Sequence, residues 1–102
     1  MEPGPFAADF DASASVLTVT GEIDENEAVV LRDAISAHSA DYSRDLVVDL
    51  TGVLYLPSVA VGVLAKAHKQ STTAGHPIDL LAAEATIAQR VLQVCALPHR
   101  TS

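Results

Sequence analysis

The chain has 102 residues and a mass of 10.6 kDa, which suits one domain with a single two-layer core and excludes a second domain. Hydrophobic residues make up 49% of it and charged residues 19%, which excludes a disordered chain. The formal net charge of −7 argues against a nucleic-acid footprint. Residues 1–51 hold 11 of the 13 acidic side chains, so this half suits a basic partner surface or serves solubility alone.

No apolar run approaches the roughly 18 to 20 residues that a membrane span needs. The start, Met-Glu-Pro-Gly-Pro, lacks the basic residues of a signal peptide, so we expect a cytoplasmic protein. The single cysteine, Cys95, cannot form an internal disulfide and is expected to be a small core residue. The four histidines show no metal-ligand spacing, and we expect neither a metal nor another cofactor.

The first half of the chain predicts a hairpin and a helix. Residues 1–14 are expected to form an edge strand, over residues 6–10, or a flexible terminus. Residues 16–20 alternate and are rich in β-branched side chains, which predicts a strand that pairs with the first. Asp24 then suits the N-cap of a helix, with Glu27 completing a capping box. The expected apolar face of this helix consists of Ala28, Leu31 and Ile35, widened by Val29, Val30 and Ala34.

The second half predicts two strands that alternate with two helices. Residues 46–48 are apolar without alternation, as in a central strand that is covered or flanked on both sides. A polar turn at residues 51–52 leads to a helix over about residues 58–73, in which Gly62 predicts close packing against a strand or a partner. Gly75 suits its end. After a strand at residues 78–81 comes an amphipathic helix over residues 84–96, whose expected inward residues are Ile87, Val91, Leu92 and Val94 or Cys95.

This order of elements predicts the α/β class. We expect a single domain over residues 1–102 with a mixed, mostly parallel sheet of about four strands and helices packed on it. Two right-handed helical crossovers would join the three parallel strands. Leu97 and Pro98 stop the last helix, and residues 98–102 are expected to be a tail.

Ser58, at the predicted start of a buried helix, is the clearest candidate functional residue in the chain. Its hydroxyl could be a plain N-cap that accepts from an N–H group of the first turn. It could equally accept a phosphate, which free N–H groups and the helix dipole favour. An enzyme that uses Asp24 and Asp49 as an acid/base pair is a third alternative, supported only by the presence of the two carboxylates. No Walker loop, nucleophile elbow or dinucleotide motif occurs.

Four stretches of the chain carry a resemblance to a known family. Residues 49–53 read Asp-Leu-Thr-Gly-Val, and residues 56–64 read Leu-Pro-Ser-Val-Ala-Val-Gly-Val-Leu. Residues 19–24 read Val-Thr-Gly-Glu-Ile-Asp, and residues 88–92 read Ala-Gln-Arg-Val-Leu. They resemble STAS domains, the anti-sigma factor antagonist family, whose signature reads Asp-Leu-Ser-Gly-Val, a short apolar step, then Asp-Ser-Ser/Thr-Gly-Leu-x-Val-Leu. The resemblance runs over about residues 16–97.

The resemblance implies a non-enzymatic switch that regulates transcription. Free STAS proteins of this kind bind a kinase-type anti-sigma factor, and phosphorylation by that serine kinase abolishes binding. Ser58 occupies the acceptor position, and Thr51 replaces the Ser of the Asp-Leu-Ser-Gly turn. Asp24 matches a loop residue beside the partner interface. Neither direct nucleic-acid binding nor membrane insertion is implied.

The chain departs from the signature around the acceptor itself. Pro57 stands where the family has Asp, and Val59 and Ala60 replace Ser/Thr and Gly. This favours an alternative, a STAS subunit held permanently in another complex, such as that of a lipid-transporting ABC system, without phosphorylation. The residues expected at the partner surface are Asp24, Thr51, Leu56, Pro57, Ser58 and Val59.

Overall fold

The computed structural model describes residues 5–101, so residues 1–4 of the expected edge strand or flexible terminus and residue 102 of the expected tail lie outside it. Its elements, in chain order, are β1 (Ala7–Asp11), β2 (Val16–Thr20), α1 (Glu25–His38), β3 (Val47–Gly52), α2 (Ser58–Thr73), β4 (Asp79–Leu81) and α3 (Ile87–Val94). The strand order is β1-β2-β3-β4, with β1 antiparallel to β2 and the other pairs parallel. The predicted α/β class, hairpin and mostly parallel sheet are confirmed.

One face of the sheet carries the core. Leu17, Val48 and Leu80 lie side by side on β2, β3 and β4, and all three are buried. Neighbours in sequence such as Val47 and Asp49 point to the opposite face and are only half-buried. Because each parallel strand is added in the same direction, right-handed crossovers place the helices on one face. β3 is therefore flanked by a strand on both sides, as expected of a central strand, but helices cover only one of its faces.

The helices close the core over this sheet face. Their buried residues join one cluster with those of the strands: Ala28, Leu31 and Ile35 of α1, Ala60, Leu64 and Ala67 of α2, and Ala88 and Leu92 of α3. Val29 and Val30, expected to widen the apolar face of α1, are exposed. They follow Ala28 by one and two positions, and steps of about 100° per residue turn them away from the buried stripe. Ala34 is partly buried against the cluster, as expected.

The helix boundaries follow the capping signals in the sequence. The Asp24 carboxylate accepts hydrogen bonds from the N–H groups of Asn26 and Glu27, which confirms the predicted N-cap of α1. The bounds of α2 agree with those predicted, and Gly75 follows its C-cap with a φ of +89° that suits glycine. Gly62 is exposed, and a Cβ there would meet nothing within 4 Å, so its expected packing against a strand is wrong.

The last helix is shorter and differently oriented than expected. It begins after Thr86, whose hydroxyl accepts from the N–H group of Gln89, and it runs for eight residues. Ile87 and Val94 are exposed, as is Cys95, so the predictions that these residues lie inward were wrong. The prediction for Leu92 is confirmed, and Val91 packs partly against the core. The second fully buried residue of α3 is Ala88, one turn before Leu92, so the buried face is centred on these two residues and Ile87 and Val94 lie outside it.

The tail covers the edge of β4. The Arg100 N–H group donates to the Leu80 carbonyl at 2.9 Å, and the Ala82 N–H group donates to the Arg100 carbonyl at 3.0 Å. The Arg100 guanidinium also donates to the Asp79 carboxylate at 2.8 Å. Residues expected to be a simple tail therefore extend the sheet by one bridge beyond its last strand.

Candidate partner-binding site

The site lies at the edge of the sheet where β2 and β3 end and the chain turns into α1 and α2. Thr51 and Gly52, expected to form a turn, are the last two residues of β3, and the register between β2 and β3 shifts so that Thr20 faces Gly52. A Cβ at Gly52 would lie 2.7 Å from Cγ2 of Thr20, so any larger residue there would require the Thr20 side chain to shift. Because parallel strands end at a common edge, α1 and α2 both begin at this edge of the sheet.

The start of α2 has no side-chain cap. Pro57 holds the N-cap position with an extended backbone, φ −68° and ψ 162°, and Ser58 is the first helical residue. The interpretation of Ser58 as an N-cap was therefore wrong, since a capping residue must itself lie outside the helix. Within residues 5–101 the exposed Ser58 hydroxyl forms no hydrogen bond. The first turn of α2 contains no acidic residue either, so its N–H groups keep their positive partial charge.

Apolar side chains surround this uncapped helix start. Leu54 and Tyr55, in the loop after β3, are 54% and 58% exposed, and Val59 at the second position of α2 is also exposed. Leu56 is only 2% exposed and belongs to the core, so the expected contact of its side chain with a partner was wrong. Residues 53 and 56 are the inward positions of this loop, and the two residues between them point to solvent.

A hollow of about 280 Å³ joins this loop to the start of α1. Its lining consists of Gly21, Glu22, Ile23, Asp24, Glu27, Leu54 and Tyr55. The predicted site residue Asp24 thus shares a concave surface with two exposed apolar side chains. Sequence reasoning missed both of them, although their place between the motif halves at residues 49–53 and 56–64 was a usable signal.

Two carboxyl groups interact at the mouth of this hollow. The pKa of Asp24 lies below its ordinary value of 3.8, first because the Glu27 side chain hydrogen-bonds to it and then because the Glu27 N–H group donates to it. The same side-chain hydrogen bond raises the pKa of Glu27 above 4.5, and the nearby Asp24 charge adds to that rise. Negative charge is therefore concentrated on Asp24, the carboxylate that caps α1.

Thr51 lies apart from these residues. Its N–H group and its hydroxyl both donate to the Asp49 carboxylate, at 2.9 and 2.7 Å. Because Leu50 between them points into the core, Asp49 and Thr51 point to the opposite face of the sheet. The structure therefore brings Asp24 together with Leu54 and Tyr55 but not with Thr51, whose contact with a partner stays a prediction.

A second concavity, of about 550 Å³, runs between α1 and α2. Val59, Gly62 and Val63 line it on α2, and Arg32 and Asp33 line it on α1. The glycine that the sequence singled out thus widens a surface groove. In the part of the chain that the structure describes, no three acidic, histidine or cysteine side chains converge as metal ligands. No helix of that part combines the length and apolar character needed to cross a bilayer.

Comparison with known proteins identifies the family. The family model described as "Mlab, STAS domain" matches residues 6–98. The chain belongs to the STAS domain family. No curated protein matches the sequence of this STAS domain.

Two solved structures of the Thermotoga maritima protein TM1081 are similar to this STAS domain. The crystal structure, described as that of a proposed anti-sigma factor antagonist, has a TM-score of 0.70 at 16% sequence identity. The match covers 95% of this chain and 86% of the TM1081 chain. The NMR structure has a TM-score of 0.68 at 16% identity, with coverages of 92% and 75%. At this identity the likeness establishes a shared fold.

Proposed function

We propose that this STAS domain is an anti-sigma factor antagonist, which regulates transcription by binding an anti-sigma factor and performs no catalysis itself. The single observation that carries the proposal is the uncapped, exposed start of α2 at Ser58, set among exposed apolar side chains. The partner surface, called here the helix-start surface, consists of Asp24, Leu54, Tyr55, Pro57, Ser58 and Val59.

The composition of the helix-start surface supports binding to another protein. Leu54, Tyr55 and Val59 offer apolar area to a partner, and tyrosine is enriched at energetically important interface positions. Asp24 adds a negative charge at the rim of the same surface. Such a surface suits a partner that is apolar at its centre and basic at its edge.

The state of Ser58 supports regulation by phosphorylation. Its hydroxyl is exposed and forms no hydrogen bond within residues 5–101, so a kinase would not need to break a contact to reach it. A phosphate would add about −1.5 to −2 charges at the start of α2, and free N–H groups of the first turn would stabilise it. The added charge and its hydration would disfavour an apolar partner surface. We therefore propose that an anti-sigma factor with serine-kinase activity binds the unmodified form and releases the phosphorylated one.

The alternative is a permanent STAS subunit of another complex, such as a lipid-transporting ABC system. Pro57 at the N-cap favours it, because the family signature has an aspartate there that could orient the hydroxyl or contact the kinase. Val59, exposed where the signature has Ser or Thr, adds apolar area that suits a lasting interface. In that case Ser58 would stay unmodified.

A pull-down from the native cells with wild-type and Ser58→Asp proteins distinguishes the two functions. The proposal predicts that the wild type retains a kinase-type anti-sigma factor and that Ser58→Asp loses it. Mass spectrometry of the recovered wild-type protein should then find phosphate on Ser58. Equal recovery of a transporter ATPase with both proteins, with Ser58 unmodified under every growth condition, would establish the alternative.

A further inference from the structure

The last helix presents an apolar stripe to solvent. Ile87, Val91 and Val94 recur at spacings of four and three residues, which places them on one helix face. Ile87 is 63% exposed and Val94 77% exposed, and Val91 between them is half-buried. Exposed apolar residues that occur singly need no explanation, but a row along two helical turns is typical of an interaction surface. We call these three residues the α3 stripe.

The α3 stripe adjoins the helix-start surface. The N–H group of Ala88, in the first turn of α3, donates to the carbonyl of Leu54 at 2.9 Å. This hydrogen bond fixes the Ile87 end of the stripe beside the loop that carries Leu54 and Tyr55. The start of α3 and the loop that carries the exposed Leu54 and Tyr55 are therefore neighbouring segments of the surface.

The α3 stripe is flanked by an arginine that lacks an ion-pair partner. Arg90 is three residues after Ile87 and four before Val94, so it lies on the same side of the helix, and it is exposed. Arg32 and Arg100 are paired with Asp33 and Asp79, whereas no residue from 5 to 101 forms an ion pair with Arg90. An arginine beside exposed apolar side chains is typical of residues that contribute strongly to binding.

The arginine decides what kind of partner fits the α3 stripe. In a symmetric pair of two copies, antiparallel packing of α3 would place Ile87 opposite Val94 of the other copy. The same antiparallel packing would bring the two Arg90 guanidinium groups to one side of the helix pair, and like charges oppose such pairing. A different protein that offers apolar side chains and a carboxylate opposite Arg90 meets no such repulsion.

We propose that the α3 stripe and Arg90 form the second half of the docking surface for the partner of the helix-start surface, and that this partner places an apolar segment with a carboxylate on them. The inference rests on the proposed function in that the partner is the same protein. It adds a second contact, whose charge and shape phosphorylation of Ser58 does not change. The partner would thus touch both the regulated helix start and an unregulated helix.

The test measures the Kd of the anti-sigma factor recovered in the pull-down, expressed and purified, by isothermal titration calorimetry. Val94→Asp and Arg90→Glu should each weaken binding by about tenfold or more, which is about 1.4 kcal/mol. Val30→Asp is the matched control, since Val30 is an exposed valine of α1 that lines neither concavity of the site. This control should bind within about twofold of the wild type. Circular dichroism should show the same helix content in every variant.

The outcomes separate the α3 stripe from the proposed switch. Unchanged binding by both Val94→Asp and Arg90→Glu would overturn the inference and leave the switch at Ser58 standing. Weakened binding by these variants, with full binding by Ser58→Asp, would overturn the switch and support the stripe. Sedimentation of the wild type alone should show a monomer. A dimer that Val94→Asp dissociates would show that a second copy covers the stripe, against the inference.

Discussion

The starts of α1 and α2 lie at the same edge of the sheet but are built in opposite ways. At α1, Asp24 accepts hydrogen bonds from two backbone N–H groups at 2.9 and 3.0 Å, and Glu25 adds negative charge in the first turn. At α2, Pro57 provides no side-chain acceptor, and the first turn has no acidic residue. The first helix start is stabilised within the chain, whereas the second keeps its N–H groups for water, a phosphate or a partner.

This difference indicates how stability and binding are divided between the helices. A helix of 16 residues can form without a cap because its stability comes mainly from packing of its apolar face. In α2 that face consists of Ala60, Leu64 and Ala67, all buried in the core. The helix start can then carry residues that suit a partner. The following predictions test this division, from the largest expected effect to the smallest.

The buried face of α2 should dominate its stability. Leu64 is fully buried, and Leu64→Ala should lower the free energy of unfolding by about 2–5 kcal/mol because it removes apolar contacts and leaves a cavity. Leu54→Ala is the matched control, because this leucine is more than half exposed. The control should change the free energy by less than about 0.5 kcal/mol. Urea unfolding monitored by circular dichroism measures both, and equal effects would contradict the assignment of the core.

The Asp24 cap of α1 should contribute to folding stability, and this contribution should depend on pH. Asp24→Ala should lower the urea midpoint because two N–H groups lose their acceptor, and Asp24→Asn should largely preserve it because asparagine also caps well. A depressed carboxyl pKa contributes stability that is present above the unfolded-state pKa and is lost as the pH falls through the folded-state pKa. The advantage of the wild type over Asp24→Asn should therefore disappear as the pH falls below about 3.8.

The contribution of Glu27 to folding stability should have the opposite pH dependence from that of Asp24. Its pKa is raised, so its contribution to stability is present below its unfolded-state pKa and is lost as the pH rises through the folded-state value. Glu27→Gln should therefore be at least as stable as the wild type at pH 7, with the difference shrinking below about pH 4.5. Unfolding curves at a series of pH values would test this, and a large loss of stability at pH 7 would contradict it.

A cap installed at α2 should stabilise the helix that lacks one. Pro57 already has an extended backbone, so Pro57→Asp would place a carboxylate where it can accept from the first turn. Pro57→Ala makes the same backbone change without the acceptor. The Asp variant should be more stable than the Ala variant by about 1 kcal/mol. Equal stabilities would mean that the N–H groups at this helix start are not available to an added anion.

Loss of the Ser58 hydroxyl should leave the fold almost unchanged. Ser58→Ala removes a group that forms no hydrogen bond within residues 5–101, and alanine suits the first turn of a helix. The free energy of unfolding should change by less than about 0.5 kcal/mol. A loss near 1 kcal/mol in thermal or urea unfolding would indicate that the hydroxyl is a cap after all.

Sequence patterns predicted most of the fold because its signals are local. Asp24 and Glu27 have the spacing of a helix start, and residues 16–20 have the alternation of a strand, so both elements were predicted with the observed bounds at those positions. Gly75 likewise marked the end of α2, where φ is positive. Each of these features depends on the backbone preferences of a few neighbouring residues.

The wrong predictions concern which apolar residues are buried. Periodicity shows that a helix has an apolar face but does not show which element packs against it. In α3, Leu92 was correctly assigned to the core, but Ile87 and Val94 were wrongly assigned to it as well. The structure buries Leu92 together with the smaller Ala88, which lies on the same helix face one turn earlier. The same limit explains the misplacement of Leu56, whose neighbours Leu54 and Tyr55 are the exposed residues.

The central claim is that the start of α2 serves binding and not stability, and one paired measurement on Ser58→Asp tests it most directly. Affinity for the purified anti-sigma factor and the free energy of unfolding are measured on the same preparations of wild type, Ser58→Ala and Ser58→Asp. We predict that Ser58→Asp weakens binding by more than about tenfold, or 1.4 kcal/mol. Its stability should be unchanged or slightly raised, because a carboxylate in the first turn interacts favourably with the helix dipole. Full binding by Ser58→Asp, with Ser58→Ala as the destabilised variant, would contradict the account.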